Sequence, residues 1–236
     1  MKKSSIIIIA IVTVFAVFIG YKYINDDKVV VNEDGIKFKN EYESLNNRVN
    51  SNNNKLYPKV SISKDNVVKY SSYDEVLEIL KSGSGVIYFG YPECPWCRNL
   101  VPVLLSAAKE SELDTIYYLN IKNDRDLLIL DDENKIKTEK EGSKKYFELL
   151  KALDSILDDY VLTSNDGKEV SAGHKRIYVP LVVFVKDGKI IAHHTDTVSS
   201  QKDPYVALTD REEEELLMDL INKMNSFSGA ICDDKC

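Results

Sequence analysis

Residues 85–102 read GVIYFGYPECPWCRNLVP, and the expected fold is built outward from them. The β-branched and aromatic run Val86 to Phe89 predicts a buried strand, which Gly90 and Pro92 bring to an end. Cys94 then opens a helical pattern. The apolar face of that predicted helix is formed by Leu100, Val101, Leu104, Leu105 and Ala108.

A Cys-x-x-Cys pair at the start of a helix predicts a redox site. The first sulfur, on Cys94, faces free backbone N–H groups and the positive end of the helix macrodipole, which favour a thiolate. The second, on Cys97, lies one turn further on and is close enough to form a short disulfide with it. We therefore expect Cys94 to be the exchange nucleophile, reachable from solvent, and Cys97 its resolving partner.

Three features in the right order resemble the thioredoxin superfamily. Cys94-Pro95-Trp96-Cys97 has that family's motif shape, with a Pro-aromatic middle similar to glutaredoxins. Pro102 falls where thioredoxins have the proline that kinks the active-site helix. Residues 178–189 look like the cis-proline strand and its turn. The resemblance covers about residues 66–227, interrupted by one insertion.

The resemblance implies an α/β fold, with a central mixed sheet flanked by helices, and a substrate groove. It implies that the Val179–Pro180 bond is cis and that Val179 pairs with substrate backbone as an added strand. Trp96 is expected to be an exposed aromatic platform for substrate, with packing against the protein's own surface as the alternative. Tyr88 stands where thioredoxins have a buried carboxylate. A phenol is a poor base at neutral pH, so the direction of the reaction stays open.

The first residues predict a membrane anchor. Lys2 and Lys3 precede eighteen uncharged residues from Ser4 to Tyr21, near the lower limit for a spanning helix. A cleaved signal peptide is the alternative, although no small-x-small cleavage site precedes Tyr21. The lysines favour an N-terminus inside the cell and a protein body on the extracytoplasmic side, where disulfides persist. With this anchor, the chain resembles the extracytoplasmic thioredoxin-like proteins grouped with bacteriocin transport accessory proteins.

The chain divides into four predicted segments. Residues 1–24 are the anchor or signal peptide, and the asparagine-rich residues 25–65 are expected to be a stem or linker. Residues 66–228 are the thioredoxin-like domain, with a helical insertion at about 122–175 before the cis-proline strand. Residues 229–236 are a cysteine-containing tail.

Two helices and two turns are predicted within the domain. Residues 143–157 predict an amphipathic helix inside the insertion, and residues 210–227 predict the closing helix. Asn165-Asp166-Gly167 and Asp187-Gly188 each predict a hairpin turn.

Composition narrows the function classes. The 236 residues carry a net charge of −7, which does not indicate a nucleic-acid surface. The other two of the four cysteines, Cys232 and Cys236, are expected to form a structural or accessory disulfide outside the cell. A relay between that pair and Cys94–Cys97, or a zinc site made of all four sulfurs, is the alternative.

The sequence therefore predicts an extracytoplasmic thiol–disulfide oxidoreductase that acts on exported proteins or peptides. Because the cysteine pair holds the electrons, the reaction needs no cofactor, but a membrane electron donor or acceptor must recycle the pair. Two alternatives come from other classes. One is a non-catalytic membrane-tethered chaperone or assembly factor that uses the peptide groove, and the other is a zinc-binding module.

Overall fold

The structure is a computed structural model that describes residues 32–232, with the backbone alone for residues 230–232. The helices in this range are α1 (Glu33–Glu43), α2 (Tyr73–Ser82), α3 (Pro95–Glu110), α4 (Lys144–Ala152) and α5 (Asp210–Cys232). A 3-10 turn at Asp154–Ile156 follows α4. The strands are β1 (Val49–Asn50), β2 (Lys55–Leu56), β3 (Val68–Tyr70), β4 (Gly85–Gly90), β5 (Ile116–Asn120), β6 (Leu127–Leu130), β7 (Ile136–Lys140), β8 (Asp158–Thr163), β9 (Glu169–Arg176), β10 (Leu181–Lys186) and β11 (Lys189–Thr195).

A five-stranded mixed sheet in the order β11-β10-β4-β5-β3 forms the centre of the fold. Strands β3, β4 and β5 run parallel, whereas β10 is antiparallel to both β4 and β11. In the register, Ile87 lies opposite Val183 and Phe89 opposite Leu181. The two continuous apolar runs of the sequence are therefore the adjacent central strands β4 and β10, as expected for strands covered on both faces.

Successive residues of these strands point to opposite faces, so the sheet has two apolar cores. Val86 and Tyr88 face a core shared with α1, α3 and α5, whereas Ile87 and Phe89 face one shared with α2 and α4. The mixed α/β sheet flanked by helices confirms the coarse prediction from sequence. The hairpin at Asp187-Gly188 is confirmed too, since both residues have positive φ (49° and 72°) and join β10 to β11.

The linker prediction for residues 25–65 is wrong for the part that the structure describes. Phe38 and Tyr42 of α1, followed by Val60 and Ile62, are buried in the core with α3 and α5. Two asparagines of this segment, Asn32 and Asn46, bond to backbone that is distant in sequence. The Asn32 side chain also caps α1 by accepting the Gly35 N–H at 3.1 Å.

The insertion at 122–175 is less helical than predicted. The amphipathic helix expected over residues 143–157 is present, but it ends as α4 at Ala152. Antiparallel hairpins lie on either side of it, β6–β7 and β8–β9. The predicted Asn165-Asp166-Gly167 turn joins the second hairpin, with Gly167 at a φ of 80°. The inward side of α4 packs on the central sheet through Tyr146, Leu149 and Leu150, so this helix belongs to the domain's own layers.

The closing helix is confirmed, and its apolar face is buried through Leu216, Leu220, Met224 and Phe227. The predicted anchor at residues 1–24 lies outside the described residues, and so do the side chain of Cys232 and the whole of Cys236. Between residues 32 and 232, no helix has the length and the run of apolar residues that crossing a bilayer requires.

Candidate functional site

Cys94 lies at the N-cap of α3, four residues after the end of β4. Its sulfur accepts the backbone N–H of Cys97 at 3.2 Å. Pro95 occupies the first helical turn, where its fixed φ suits the helix and its missing N–H removes no intrahelical bond. The strand, turn and helix expected around the cysteines are thus in place. The Cys94 sulfur is held where a backbone donor and the helix macrodipole both favour negative charge.

The two sulfurs differ in access. Cys94 retains 5% of its surface and Cys97 none. Both cysteines are therefore buried, and Cys94 is less open to solvent than the sequence predicts, although it keeps more exposed surface than Cys97. This order of access agrees with the expected roles of nucleophile and resolving thiol.

Burial raises the pKa of the Cys97 thiol well above its ordinary value, and hydrogen bonding to Cys94 raises it further. The backbone N–H of Tyr91 and the Tyr88 hydroxyl act in the opposite direction by hydrogen bonding. Cys97 is thus a neutral thiol at physiological pH, and some group must stabilise its charge when it reacts.

Val179 and Pro180 lie beside the cysteines. The bond between them is cis, as expected, and the Cys94 thiol donates to the Val179 carbonyl oxygen at 3.5 Å. The chain thus brings together two segments 85 positions apart in sequence. Pro180 is buried and Val179 is half-buried. Val179, the residue expected to pair with substrate, is therefore the more exposed of the two.

Trp96 is half-buried and packs against the core, so it is not a freely exposed platform. Its remaining surface lines a cleft of about 340 Å³. The opposite wall of the cleft is the loop after β11, which includes Asp196, Val198 and Gln201. The indole thus packs partly against the protein's own surface and partly forms one wall of a pocket.

The charged residue before Cys94 points away from it. Glu93 forms an ion pair with Lys122, with 2.6 Å between Nζ and Oε1. On the other side of the strand end, Arg125 donates to the Tyr91 hydroxyl at 2.6 Å. Neither contact places a carboxylate against the Cys94 sulfur.

Tyr88 is fully buried beneath the cysteines. Its hydroxyl lies 2.8 Å from that of Tyr42, which is fully buried as well. Tyr42 belongs to α1, and no feature of the sequence links it to the site, because the two tyrosines are 46 positions apart in the chain.

The sequence likewise indicates no structural role for Arg98, the residue after Cys97. Among the side chains that the structure describes, it is the largest one that is fully buried, with 1% of its surface exposed. Its guanidinium donates to the carbonyl oxygens of Pro58 and Tyr42, each at 2.7 Å, and to the Asn46 side-chain oxygen at 2.7 Å. A charged residue at the start of an amphipathic helix usually faces solvent, so only the packed N-terminal segment reveals this role.

The accessory cysteines and the zinc alternative stay predictions. Among the side chains that the structure describes, no group of three or more His, Cys, Asp or Glu is arranged to hold a metal ion. Cys94 and Cys97 are free thiols in the structure.

The chain matches no family model, and no curated protein matches it.

Proposed function

We propose that this protein is a thiol–disulfide oxidoreductase with a thioredoxin-like fold. One observation carries the proposal: the sulfur of Cys94, a residue that keeps 5% of its surface exposed, caps α3 within 3.5 Å of the Val179 carbonyl oxygen, with the fully buried Cys97 one turn behind it. Thiol–disulfide exchange needs an accessible first sulfur, a protected second one and backbone that can hold a substrate chain beside them.

The sheet supports the fold assignment. Strands β3, β4 and β5 are parallel, and the cysteines follow the carboxyl end of β4. The antiparallel hairpin β10–β11 completes the sheet on the other side of β4. Helices cover both faces, and α3 starts directly after the central strand. This arrangement is compatible with the thioredoxin-like fold that the sequence resembles.

In the reducing direction, the Cys94 thiolate attacks one sulfur of a substrate disulfide. A mixed disulfide forms, and the other substrate sulfur leaves with the electron pair and takes up a proton. Cys97 then loses its proton and attacks the Cys94 sulfur. The Cys94–Cys97 disulfide forms, the bond to substrate breaks and the second substrate thiol is released. Two electrons and two protons pass to the substrate, and the reverse sequence oxidises a dithiol.

The substrate chain would lie along Val179, a half-buried residue whose carbonyl oxygen lies 3.5 Å from the Cys94 sulfur. A side chain next to the substrate cysteine would enter the cleft between Trp96 and the loop after β11. The cleft holds about 340 Å³, which is room for one large side chain and not for a folded domain. We therefore propose extended segments of exported proteins or peptides as substrates, and a membrane electron donor or acceptor as the recycling partner.

The test measures disulfide exchange by the full chain with insulin as the client, together with the reduction potential of the Cys94–Cys97 pair. We expect the wild-type protein to turn over, Cys94→Ser to be inactive and Cys97→Ser to accumulate a mixed disulfide. A strongly reducing potential would indicate a reductase, and an oxidising one an oxidase or isomerase.

A non-catalytic chaperone gives the opposite result. Cys94→Ser would then support full activity in cells, and no mixed disulfide would accumulate in Cys97→Ser. Either finding would overturn the proposal.

A further inference from the structure

An exposed aromatic side chain lies directly before the residue expected to pair with substrate. Tyr178 keeps 41% of its surface exposed, whereas Ile177 before it is fully buried and Val179 after it is half-buried. In an extended chain, successive side chains point to opposite sides. The Tyr178 ring therefore faces solvent, on the side of this segment that is turned away from the core.

The insertion holds this ring in place. The Tyr178 hydroxyl donates to the Asp159 carbonyl oxygen at 3.3 Å. Asp159 belongs to β8, and the partner strand β9 ends at Arg176, two residues before Tyr178. The ring is thus fixed at one end by its own backbone and at the other by β8. A side chain that is already ordered loses little conformational entropy when it binds a partner.

The backbone beside the ring is available to a second chain. The neighbouring Val179 carbonyl oxygen lies 3.5 Å from the Cys94 sulfur. Among the hydrogen bonds within residues 32–232, none uses the backbone N–H or the carbonyl oxygen of Tyr178. Unpaired backbone groups in an exposed, extended segment can pair with an added strand. A client chain that lies along Val179 would therefore reach Tyr178 as well.

Strand pairing determines which client side chain meets the ring. Residues that lie directly opposite each other in two paired strands place their side chains on the same face, with Cβ atoms about 4.5–5.5 Å apart. The client side chain opposite Tyr178 would thus lie against the ring, while its neighbours along the client point to the other face. Aromatic and other large apolar side chains gain most from such contact with a tyrosine.

We propose that Tyr178 is a specificity-determining residue, whose ring binds a large apolar or aromatic side chain of the client at the position opposite it. The inference rests on the proposed function for the nature of the client. The contact is separate from the cleft beside Trp96, which Tyr178 does not line. The insertion thus takes part in substrate selection, because β8 holds the ring that makes the contact.

The experiment measures attack by Cys94 on peptides that differ only in the place of one ring. Each peptide has one cysteine joined to thionitrobenzoate by a disulfide. Attack forms the bond between Cys94 and the peptide sulfur and releases thionitrobenzoate as a coloured thiolate. One phenylalanine is moved through the positions on either side of the peptide cysteine, and a peptide with serine instead is the reference. Dithionitrobenzoate, which has no peptide chain, reports the reactivity of the sulfur alone.

We expect reduced full-length wild-type protein to react about fivefold faster with the peptide that places its ring opposite Tyr178 than with the serine peptide. Moving the ring by one position should abolish the gain, because the side chain then points to the other face. In Tyr178→Ala the ratio should fall to about one, whereas Tyr178→Phe keeps the ring and should keep most of the ratio. The rate with dithionitrobenzoate should stay unchanged in both variants.

Ile191→Ala is the matched control. Ile191 is exposed to a similar extent, 42%, and lies on β11. Its loss should leave the ratio unchanged. Equal rates for all peptides with wild-type protein, or an unchanged ratio in Tyr178→Ala, would overturn the proposal. If that variant does not fold, an unchanged ratio in Tyr178→Thr, whose β-branched side chain suits an extended backbone, overturns it.

Insulin turnover separates this inference from the proposed function. If the proposed function is wrong, wild-type protein will fail to turn over insulin while its peptide rates still depend on the place of the phenylalanine. If only Tyr178 is misassigned, insulin turnover will be normal and the ratio will not respond to substitution of Tyr178.

Discussion

At the scale of single residues, Arg98 joins α3 to the N-terminal segment. It has no carboxylate partner in the described part of the chain, and its charge is balanced by oxygen dipoles of Pro58, Tyr42 and Asn46. Its ring neighbour is Tyr57, with the guanidinium carbon 5.6 Å from the ring centroid. A buried cation is tolerated here because its donors reach buried acceptors, so its removal leaves those acceptors unpaired.

We expect Arg98→Ala to lower the free energy of unfolding by at least about 3 kcal/mol, because several buried oxygens lose their donors and a large cavity forms. Urea unfolding at neutral pH measures this. Arg48→Ala is the control, since Arg48 is exposed, and it should change the value by no more than about 0.5 kcal/mol. Equal effects of the two substitutions would contradict the structural role of Arg98.

At the scale of elements, the β10–β11 hairpin depends on Gly188. Its φ is 72°, and an added Cβ would lie 2.3 Å from the Lys81 carbonyl oxygen at the end of α2. The Gly188 N–H also donates to the Gly83 carbonyl oxygen at 2.8 Å. The turn is therefore held against the helix, and it fixes the register of the strand that begins after Pro180.

Gly167, in the β8–β9 turn, provides a comparison in which a substitution causes backbone strain without steric crowding. Its φ is 80°, but an added Cβ would meet nothing within 4 Å. Gly167→Ala should therefore cost only the left-handed penalty, about 1–2 kcal/mol. Gly188→Ala pays the same penalty plus the steric clash, so we expect a loss clearly larger than that of Gly167→Ala in thermal and urea unfolding. Losses of similar size would mean that the turn moves away from α2 at little cost.

At the scale of the whole molecule, the domain extends back at least to the start of α1, well before residue 66. Phe38, Tyr42, Val60 and Ile62 are each no more than 3% exposed in the core. Burying each such side chain contributes about 2 kcal/mol. Together they approach the entire stability of a typical domain, about 5–15 kcal/mol.

We expect protein lacking residues 1–65 to be unfolded or aggregated, whereas protein lacking residues 1–31 keeps every contact described above and should unfold cooperatively. Circular dichroism and thermal unfolding distinguish the two. A cooperative transition in the shorter protein at the same temperature would show that α1 is dispensable. The shorter protein would also lack Tyr42.

The local patterns of the sequence determined the part of the fold that carries the cysteines. The apolar run at Val86–Phe89, the Gly90 and Pro92 breakers and the helical pattern after Cys94 involve neighbours in the chain, and local sterics and burial decide them. The same holds for the strand after Pro180 and for both glycine turns. The positions of Cys94, Cys97, Val179 and Pro180 could therefore be predicted without coordinates.

Only the tertiary structure decided what surrounds those residues. The asparagines of residues 32–65 are typical of a linker, yet Asn32 and Asn46 bond to backbone that is distant in sequence. The Tyr42–Tyr88 pair and the bonds of Arg98 join positions 40 to 56 residues apart. A sequence pattern predicts which face of a helix or strand is buried, but it does not predict which other element packs against that face. For that physical reason, the sequence located the two cysteines, and packing alone determined which hydroxyls and which cation lie near them.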